Sequence, residues 1–197
     1  MKKVLALMGS PRKGKNTDTL LDYLLDGIRE NDVEINKIHI KDKDIKDCTG
    51  CDYCGKTGNC AKGDSMDEIY SEFDKSDMII LAAPVYFNSV NSITKTMIDR
   101  CQKYWSLKYS LKEKYKKTED RMGLFLSTGG APLEHDQFNG SIYVMDYFFR
   151  AVNADYKSNY FVSNTDKDPV SDRDDIKREL YEIGKNIFNK KDFYLHR

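Results

Sequence analysis

The sequence predicts a single α/β domain in which helices cover both faces of a parallel, five-stranded sheet. Its 197 residues are enough for one hydrophobic core. Two continuous apolar runs, Val4 to Met8 and Met78 to Ala83, are typical of strands buried on both faces. Strand-like and helix-like segments alternate along the chain, and with right-handed crossovers this alternation predicts a doubly wound sheet of strand order 2-1-3-4-5.

The other elements follow from the spacing of apolar residues. Residues 33–40 largely alternate between apolar and polar side chains, which suits an edge strand beside the first strand. Leucines at helical spacing follow Asn16 and Thr17, either of which could cap the first helix. The predicted strands are 4–8, 33–40, 78–83, 122–126 and 156–162, and the predicted helices are 20–28, 66–73, 93–101, 142–152 and 176–188.

Composition excludes several classes of function. Apolar residues make up 40% of the chain, which argues against disorder, and 32 basic residues balance 32 acidic ones, so no overall charge attracts nucleic acid or an anionic membrane. A glycine turn follows the first apolar run at once, so we expect neither a signal sequence nor a membrane span there. Residues 102–120 interleave lysines with aromatic residues, a pattern that can bind nucleic acid, but the neutral total charge favours a solvated segment whose aromatic rings pack inward.

The turn after the first strand has the features of a phosphate site. Residues 9–17 join a buried strand to a helix N-terminus, where free backbone N–H groups and the helix dipole favour an anion. Arg12 can form charge-assisted hydrogen bonds with phosphate, and Ser10, Asn16 and Thr17 supply neutral donors. The turn also matches part of a nucleoside-triphosphate loop, G-x-x-x-x-G-K, but asparagine follows the lysine where Ser or Thr should bind magnesium. The residues therefore favour a monophosphate.

Two further turns reach the same sheet edge. Residues 84–88 follow the third strand, and in the predicted strand order they lie beside the first turn at the topological switch point. Tyr86 or Phe87 offers a flat wall for a planar heterocycle, although an aromatic residue after a strand often packs in the core instead. Thr128, Gly129 and Gly130 end the fourth strand at this edge and are a plausible third contact.

Four of the five cysteines lie within thirteen residues. Cys48, Cys51, Cys54 and Cys60 have the spacing C-x2-C-x2-C-x5-C, which suits a reducing compartment, and therefore the cytoplasm, better than a secreted disulfide framework. A [4Fe-4S] cluster needs four thiolates, and short gaps let one loop supply them. Zinc could use the same thiolates, although separated pairs are its usual arrangement, and four reduced thiols without any metal are equally compatible with the pattern.

These motifs resemble those of the flavodoxin-like NAD(P)H-dependent FMN reductases, and within them the iron-sulfur flavoproteins. The resemblance covers roughly residues 1–160. It is carried by G-S-P-R-x-x-x-N-T at 9–17, P-V-Y-F at 84–87, K-x-x-x-D-R at 95–100 and the cysteine spacing. It implies one flavodoxin-like domain over 1–197, with a cysteine-rich loop at 47–63 and a Lys/Tyr-rich insertion at 102–120.

The resemblance also implies a cofactor and its contacts. FMN would be held through its phosphate by Ser10, Arg12, Asn16 and Thr17. Its ring would lie against Pro84, Val85, Tyr86, Phe87 and Asn88, with Thr128, Gly129 and Gly130 closing the third side. Homodimers or homotetramers are usual in this family.

The function that follows is transfer of reducing equivalents from NAD(P)H through the flavin to a quinone, a free flavin or a similar small acceptor, with no catalytic side chain required. A second hypothesis is an electron carrier that exchanges electrons with ferredoxin-like proteins through a cluster at the four cysteines. Because the cysteine loop follows the second strand, we expect it to open beside the flavin crevice. A nucleotide-binding module without redox function is the third hypothesis.

Overall fold

The computed structural model describes residues 1–113 and 121–189, together with the backbone of 193–196. Seven strands form one sheet in the order β2-β1-β3-β5-β6-β7, and β4 pairs with β3 beyond this path. All neighbouring pairs are parallel except β3 with β4. The strands are β1 Lys2–Met8, β2 Val33–His39, β3 Met78–Tyr86, β4 Ser89–Val90, β5 Met122–Thr128, β6 Asp155–Val162 and β7 Phe193–His196.

The predicted topology is confirmed, and two short strands extend it. The five predicted strands correspond to β1, β2, β3, β5 and β6, and their order is the predicted 2-1-3-4-5, with β2 at the sheet edge. The structure has two strands more than the predicted five. These two strands are short, since β4 has two residues and β7 has four. Elements this short carry little periodicity.

Helices cover both faces of the sheet. On one face, α1 and α7 pack against apolar side chains of β1, β3, β5 and β6, and on the other face α3, α4 and α6 cover the second half of the core. No helix in the described ranges is long and apolar enough to cross a membrane. The helices are α1 Asn16–Ile28, α2 Tyr53–Thr57, α3 Met66–Lys75, α4 Ser92–Arg100, α5 Gln102–Trp105, α6 Asn139–Ala151 and α7 Asp174–Lys185, with short 3-10 turns at Ile40–Asp42 and Val170–Asp172.

The predicted cap of α1 was wrong. The residue before the helix is Lys15, and Asn16 and Thr17 are already helical. The Asn16 side chain bonds the chain after β6 instead, accepting a hydrogen bond from Val170 N (3.0 Å) and donating one to the Thr165 carbonyl (3.2 Å). The local sequence assigns the Asn16 side chain to helix capping, but in the structure this side chain forms hydrogen bonds with residues distant in sequence.

The Lys/Tyr-rich segment is helical from Gln102 to Ser110. A π-helix over Ser106–Ser110 follows α5 directly, and Tyr104 is buried against α3. Trp105 packs on Tyr109 with ring centroids 4.2 Å apart and the ring planes tilted by 42°. Residues 114–120, which carry several of the lysines, lie outside the described residues.

Candidate cofactor site and cysteine loop

A cavity of about 280 Å³ opens at the carboxyl ends of β1, β3, β5 and β6, where three of the predicted contact segments meet. Ligands of open α/β sheets bind at this edge, at the point where the strand order reverses. In this sheet the reversal lies between β1 and β3. The lining residues are Ser10, Arg12, Lys15, Asn16, Thr17, Pro84, Val85, Tyr86, Thr128, Gly130, Ala131, Thr165 and Asp166.

Three predicted contact residues do not line this cavity. Phe87 and Asn88, with φ angles of 50° and 56°, form the two-residue turn that joins β3 to β4, and Phe87 is fully exposed. Gly129 has a backbone role, because its N–H donates to the Val162 carbonyl (2.8 Å) and links the turns after β5 and β6.

The phosphate turn, defined here as residues 9–17, begins with a close backbone approach. Gly9 N donates to the Ala82 carbonyl (2.7 Å), and the Gly9 carbonyl accepts hydrogen bonds from Asn91 Nδ2 (2.8 Å) and Thr94 Oγ1 (3.2 Å). A Cβ atom at position 9 would overlap Thr94 Oγ1. Only glycine therefore lets β1 turn this tightly beneath the start of α4.

The far side of the turn is held by a buried carboxylate. Gly14, with a φ of 63°, donates its N–H to Asp18 Oδ2 (2.7 Å). Lys37 Nζ lies 2.6 Å from Asp18 Oδ1 and compensates its charge. Burial acts to raise the pKa of Asp18, but the Gly14 N–H and Lys37 together outweigh it and leave the pKa below its ordinary value. Asp18 therefore stays ionised and fixes the direction of the Gly14 N–H.

Hydroxyl groups complete the internal bonding of the turn. Ser10 Oγ accepts the Arg12 N–H at 3.1 Å, and the buried hydroxyls of Thr17 and Thr128 lie 2.7 Å apart. In contrast, the side chains of Arg12 and Lys15 line the cavity, and none of the described residues forms a hydrogen bond or an ion pair with either side chain. Two cations thus face a cavity at a helix N-terminus, which is the arrangement that binds an anion.

Sequence reasoning missed Thr165 and Asp166. They lie three and four residues after the end of β6, and Asp166 N donates to the Gly130 carbonyl (3.1 Å), which brings this segment to the cavity. A usable signal was present, because the polar run from Ser163 to Asp166 follows a predicted strand at the same sheet edge.

The cysteine loop, residues 47–63, surrounds a second cavity of about 420 Å³. All four of its cysteines line this cavity and carry free thiols. Among the residues that the structure describes, no group of three or more Cys, His, Asp or Glu converges on a single metal position. Four cysteine thiols on one cavity are the donor set that a [4Fe-4S] cluster or a zinc ion would take.

The two cavities lie at opposite ends of α4. At its start, Asn91 and Thr94 bond the phosphate turn, and at its end Asp99 and Arg100 line the cysteine cavity. Arg100 lies nine positions after Asn91, which corresponds to about 13 Å along the helix axis. Among the described residues, the two cavities share no lining residue. That the cysteine loop opens beside the flavin crevice stays a prediction, and the cavity of the loop lies at the end of α4, one helix length from the phosphate turn.

Comparison with known proteins identifies the family. The sequence profile of the NADPH-dependent FMN reductases matches residues 2–140. The chain belongs to this family. An iron-sulfur flavoprotein of Archaeoglobus fulgidus is 41% identical over 113 residues, which are 57% of this chain and 51% of that protein. An iron-sulfur flavoprotein of Methanosarcina thermophila is 32% identical over 129 residues, 66% of this chain and 64% of that protein. The chain thus spans about half to two thirds of the length of these relatives.

Solved structures of similar fold include an azoreductase and a quinone oxidoreductase. An FMN-dependent NADH-azoreductase from Bacillus anthracis, solved with FMN, superposes with a TM-score of 0.66 at 16% identity and covers 95% of this chain and 99% of that one. An NAD(P)H:quinone oxidoreductase from Methanothermobacter marburgensis gives a TM-score of 0.67 at 12% identity, over 95% and 97% of the two chains. The resemblance to FMN reductases and the predicted flavodoxin-like fold are both confirmed.

Proposed function

We propose that this member of the FMN reductase family binds FMN in the cavity at the carboxyl edge of the sheet and oxidises NAD(P)H. The observation that carries the proposal is the phosphate turn. Its backbone is fixed by Gly9 and Asp18, while Arg12 and Lys15 remain available to an anion in the described structure. A turn organised in this way before the ligand arrives lowers the entropy cost of binding.

Each wall of the cavity supplies a different contact. The phosphate would lie at the N-terminus of α1, held by the Arg12 guanidinium, Ser10 and Thr17. The ring would lie against Pro84, Val85 and the half-exposed Tyr86, with Phe87 and Asn88 at its open edge. Thr128 and Gly130 would close the third side, with Gly129 holding their backbone, and Thr165 and Asp166 face the same space.

Asn16 has a positioning role in this proposal, because both ends of its amide already bond residues 165 and 170. When bound, FMN supplies hydride acceptance at N5 and electron delivery to a quinone, a flavin or a similar small acceptor. The protein's part is to bind and orient the cofactor and to leave one ring face open to NAD(P)H.

Anaerobic reduction tests the proposal. Protein supplemented with FMN and freed of unbound flavin should retain about one flavin per chain, and NADH or NADPH should bleach its absorbance. Retained flavin that neither nucleotide bleaches would overturn the reductase function while leaving the binding site in place. Protein that retains no flavin would overturn both.

A second candidate function rests on the cysteine cavity. Four free cysteines line one space together with the cations Lys62, Arg100 and Lys103 and the carboxylates Asp52 and Asp99. The cations outnumber the carboxylates, and positive side chains offset the negative charge of a cluster held by four thiolates. In this candidate, the cysteines hold a [4Fe-4S] cluster, and the protein exchanges electrons with a ferredoxin-like partner. Anaerobic reconstitution with iron and sulfide should then give about four irons per chain and a broad absorbance shoulder beside the flavin bands.

We also propose that the protein assembles into a homodimer or homotetramer through an aromatic groove. A groove of about 450 Å³ between α4, α5 and α6 is lined by Trp105, Tyr143 and Tyr147, and the two tyrosines are exposed. Exposed aromatic clusters are typical of protein interfaces, which supports a homodimer or homotetramer. Sedimentation at micromolar concentration tests this assembly.

Five free cysteines in the described chain support a reducing, cytoplasmic location.

A further inference from the structure

One buried arginine connects both ends of the cysteine loop. Arg100, the last residue of α4, has a side chain that is 1% exposed. Its Nη1 donates to the Lys46 carbonyl (2.7 Å) and to Asp64 Oδ2 (2.5 Å). Its Nη2 donates to Asp64 Oδ1 (3.2 Å) and to the Lys62 carbonyl (3.4 Å). Because Lys46 and Asp64 flank residues 47–63, a single guanidinium group bonds the chain where it enters the loop and where it leaves it.

Asp64 strengthens the same junction. Its carboxylate accepts the Lys46 N–H and the Met66 N–H, both at 3.0 Å. Next to this junction, on the side away from the loop, Ser65 N donates to the Asp44 carbonyl (3.0 Å) and Asp44 N donates to Ser65 Oγ (3.1 Å). The base of the loop is therefore cross-linked by two adjacent sets of hydrogen bonds, with the Arg100 guanidinium and the Asp64 carboxylate at the centre.

Arg100 is itself held in place. Tyr70 of α3 donates its hydroxyl to the Arg100 carbonyl at 2.7 Å. Burial acts to lower the pKa of Arg100, but the hydrogen bonds that Arg100 donates to the Asp64 carboxylate outweigh this effect, and the pKa lies above its ordinary value. The guanidinium therefore remains charged at all physiological pH values.

The rest of the loop contains few such restraints. Asp52 and Gly58 adopt left-handed backbone conformations on either side of α2, and Cys48 and Cys51 are exposed. The outer part of the loop packs on the π-helix, where Cys54 Sγ lies 3.5 Å from Ser106 Oγ. Closure at the base is therefore the main feature that brings the first cysteine and the last one to the same cavity.

We propose that Arg100 is a positioning residue that closes the cysteine loop, and that its buried charge stabilises the anionic group held by the four cysteines. The second part rests on the proposed cluster function. Two observations link Arg100 to that group: it lines the cysteine cavity, and its Nε is buried without a hydrogen-bond partner among the described residues. A buried ion pair contributes little net stability compared with apolar side chains, but it imposes a definite geometry.

Lysine cannot replace arginine in this role. A guanidinium group carries donors in a planar fork that reaches a carboxylate and two carbonyls at once, whereas an ammonium group is a compact point charge. The variant Arg100→Lys keeps the charge and loses the fork, so it separates the two parts of the proposal. Asp64→Asn keeps the size and removes the charge of the partner. Arg150→Gln is the matched control, because Arg150 forms an exposed ion pair with Asp146 on α6.

Hydrogen exchange followed by mass spectrometry, on the full chain without iron and with FMN supplied, tests closure. We expect peptides covering residues 47–63 to exchange at least tenfold faster in Arg100→Lys and to a smaller extent in Asp64→Asn. Peptides from β1 and the phosphate turn should exchange at the wild-type rate in both variants, and Arg150→Gln should match wild type throughout. Wild-type exchange of residues 47–63 in both variants would overturn the closing role.

If Arg100→Lys accelerates exchange throughout the protein, the result for Asp64→Asn decides whether the junction closes the loop, because this variant preserves the buried volume. Faster exchange confined to residues 47–63 in Asp64→Asn would support the closing role. Equally faster exchange in all peptides of Asp64→Asn would overturn it.

Iron uptake tests the second part. Anaerobic reconstitution should give about four irons per chain in wild type and Arg150→Gln, and less than one in Arg100→Gln. Arg100→Lys keeps the positive charge at position 100. In Arg100→Lys protein that holds iron, the midpoint potential of the cluster should therefore be closer to the wild-type value than it is in Asp64→Asn. Equal iron content in wild type and Arg100→Gln would overturn the stabilising role. Absence of iron from wild type would overturn the cluster function and with it this second part, while the exchange result would still decide closure.

Discussion

The phosphate turn and the cysteine loop are both connections that follow a strand, yet they are built in opposite ways. In the phosphate turn, backbone and hydroxyl groups are bonded at short intervals, by Ala82, Asp18, Ser10 and Thr128, and two cations remain for a ligand. The cysteine loop has its strongest bonds at the base, through Arg100, and its cysteines are partly or fully exposed.

This difference bears on the two proposed cofactor sites. A site organised by the protein alone can bind and release an intact cofactor, whereas a loop bonded mainly at its base would gain order from a group that its side chains hold. One helix serves both sites, because α4 begins at the phosphate turn and ends at the base of the cysteine loop. The predictions below test this contrast.

Gly9→Ala should have the largest effect. The new Cβ would overlap Thr94 Oγ1, and Ala82 O is only 3.1 Å away, so the strand-to-turn junction must shift. We expect the free energy of unfolding to fall by about 3 kcal/mol, as for overpacked cores, and FMN to be lost on purification. Urea denaturation and flavin content measure both. Gly63→Ala in the cysteine loop is the control, because a Cβ atom added there would have no neighbour within 4 Å and the φ of Gly63 is ordinary. Equal stability of the two variants would contradict a tightly built turn.

Arg12→Ala should come next and should act on binding alone. Loss of a charge-assisted bond to phosphate is expected to weaken FMN binding by about 2 kcal/mol, or about 30-fold. Flavin fluorescence titration gives the dissociation constant. Arg178→Ala on α7 is the control and should bind FMN like wild type. Unchanged FMN retention in Arg12→Ala would refute the assignment of Arg12 to the phosphate.

Asp18→Asn should have a smaller and pH-dependent effect on stability. Because the folded protein lowers the pKa of Asp18, its stabilising contribution is present above the ordinary value of 3.8 and is lost as the pH falls through the lowered value. We expect Asp18→Asn to be about 1 to 2 kcal/mol less stable than wild type at pH 7, and this difference in stability should close as the pH falls below 3.8. Urea denaturation from pH 7 down to acidic pH measures this difference in stability. The control is Asp26→Asn, because Asp26 is exposed. A gap that stays constant with pH would contradict the role of the carboxylate charge.

Cys51→Ser should have the smallest effect on the folded protein. Cys51 is exposed, so the free energy of unfolding should change by less than about 0.5 kcal/mol, and FMN affinity should stay within twofold of wild type. Iron uptake should nevertheless fall. A large loss of FMN affinity would show that the two sites depend on each other more closely than their separation along α4 implies.

Much of the fold could be predicted because it depends on local patterns. The apolar runs at β1 and β3 and the alternation of strands and helices were sufficient for the strand order, and three of the contact segments followed from it. Interactions distant in sequence were not accessible. Asn16 resembles a helix cap until residues 165 and 170 are seen to bond it, and nothing local reveals that Arg100 reaches residues 46 and 64.

The cysteine loop shows the same limit. Its cysteine spacing is readable, but its path towards the far end of α4 depends on Arg100 and on packing against the π-helix, since the long connection after β2 has no periodicity of its own.

The central claim is that the phosphate turn holds the terminal phosphate of FMN, and calorimetric titration with FMN and with riboflavin tests it most directly. The two ligands share a ring and a ribityl chain and differ only in the phosphate. We predict that wild type binds FMN at least 100-fold more tightly than riboflavin, since several charge-assisted bonds are lost together, and that Arg12→Ala narrows this ratio. Equal affinity for the two ligands would contradict the account.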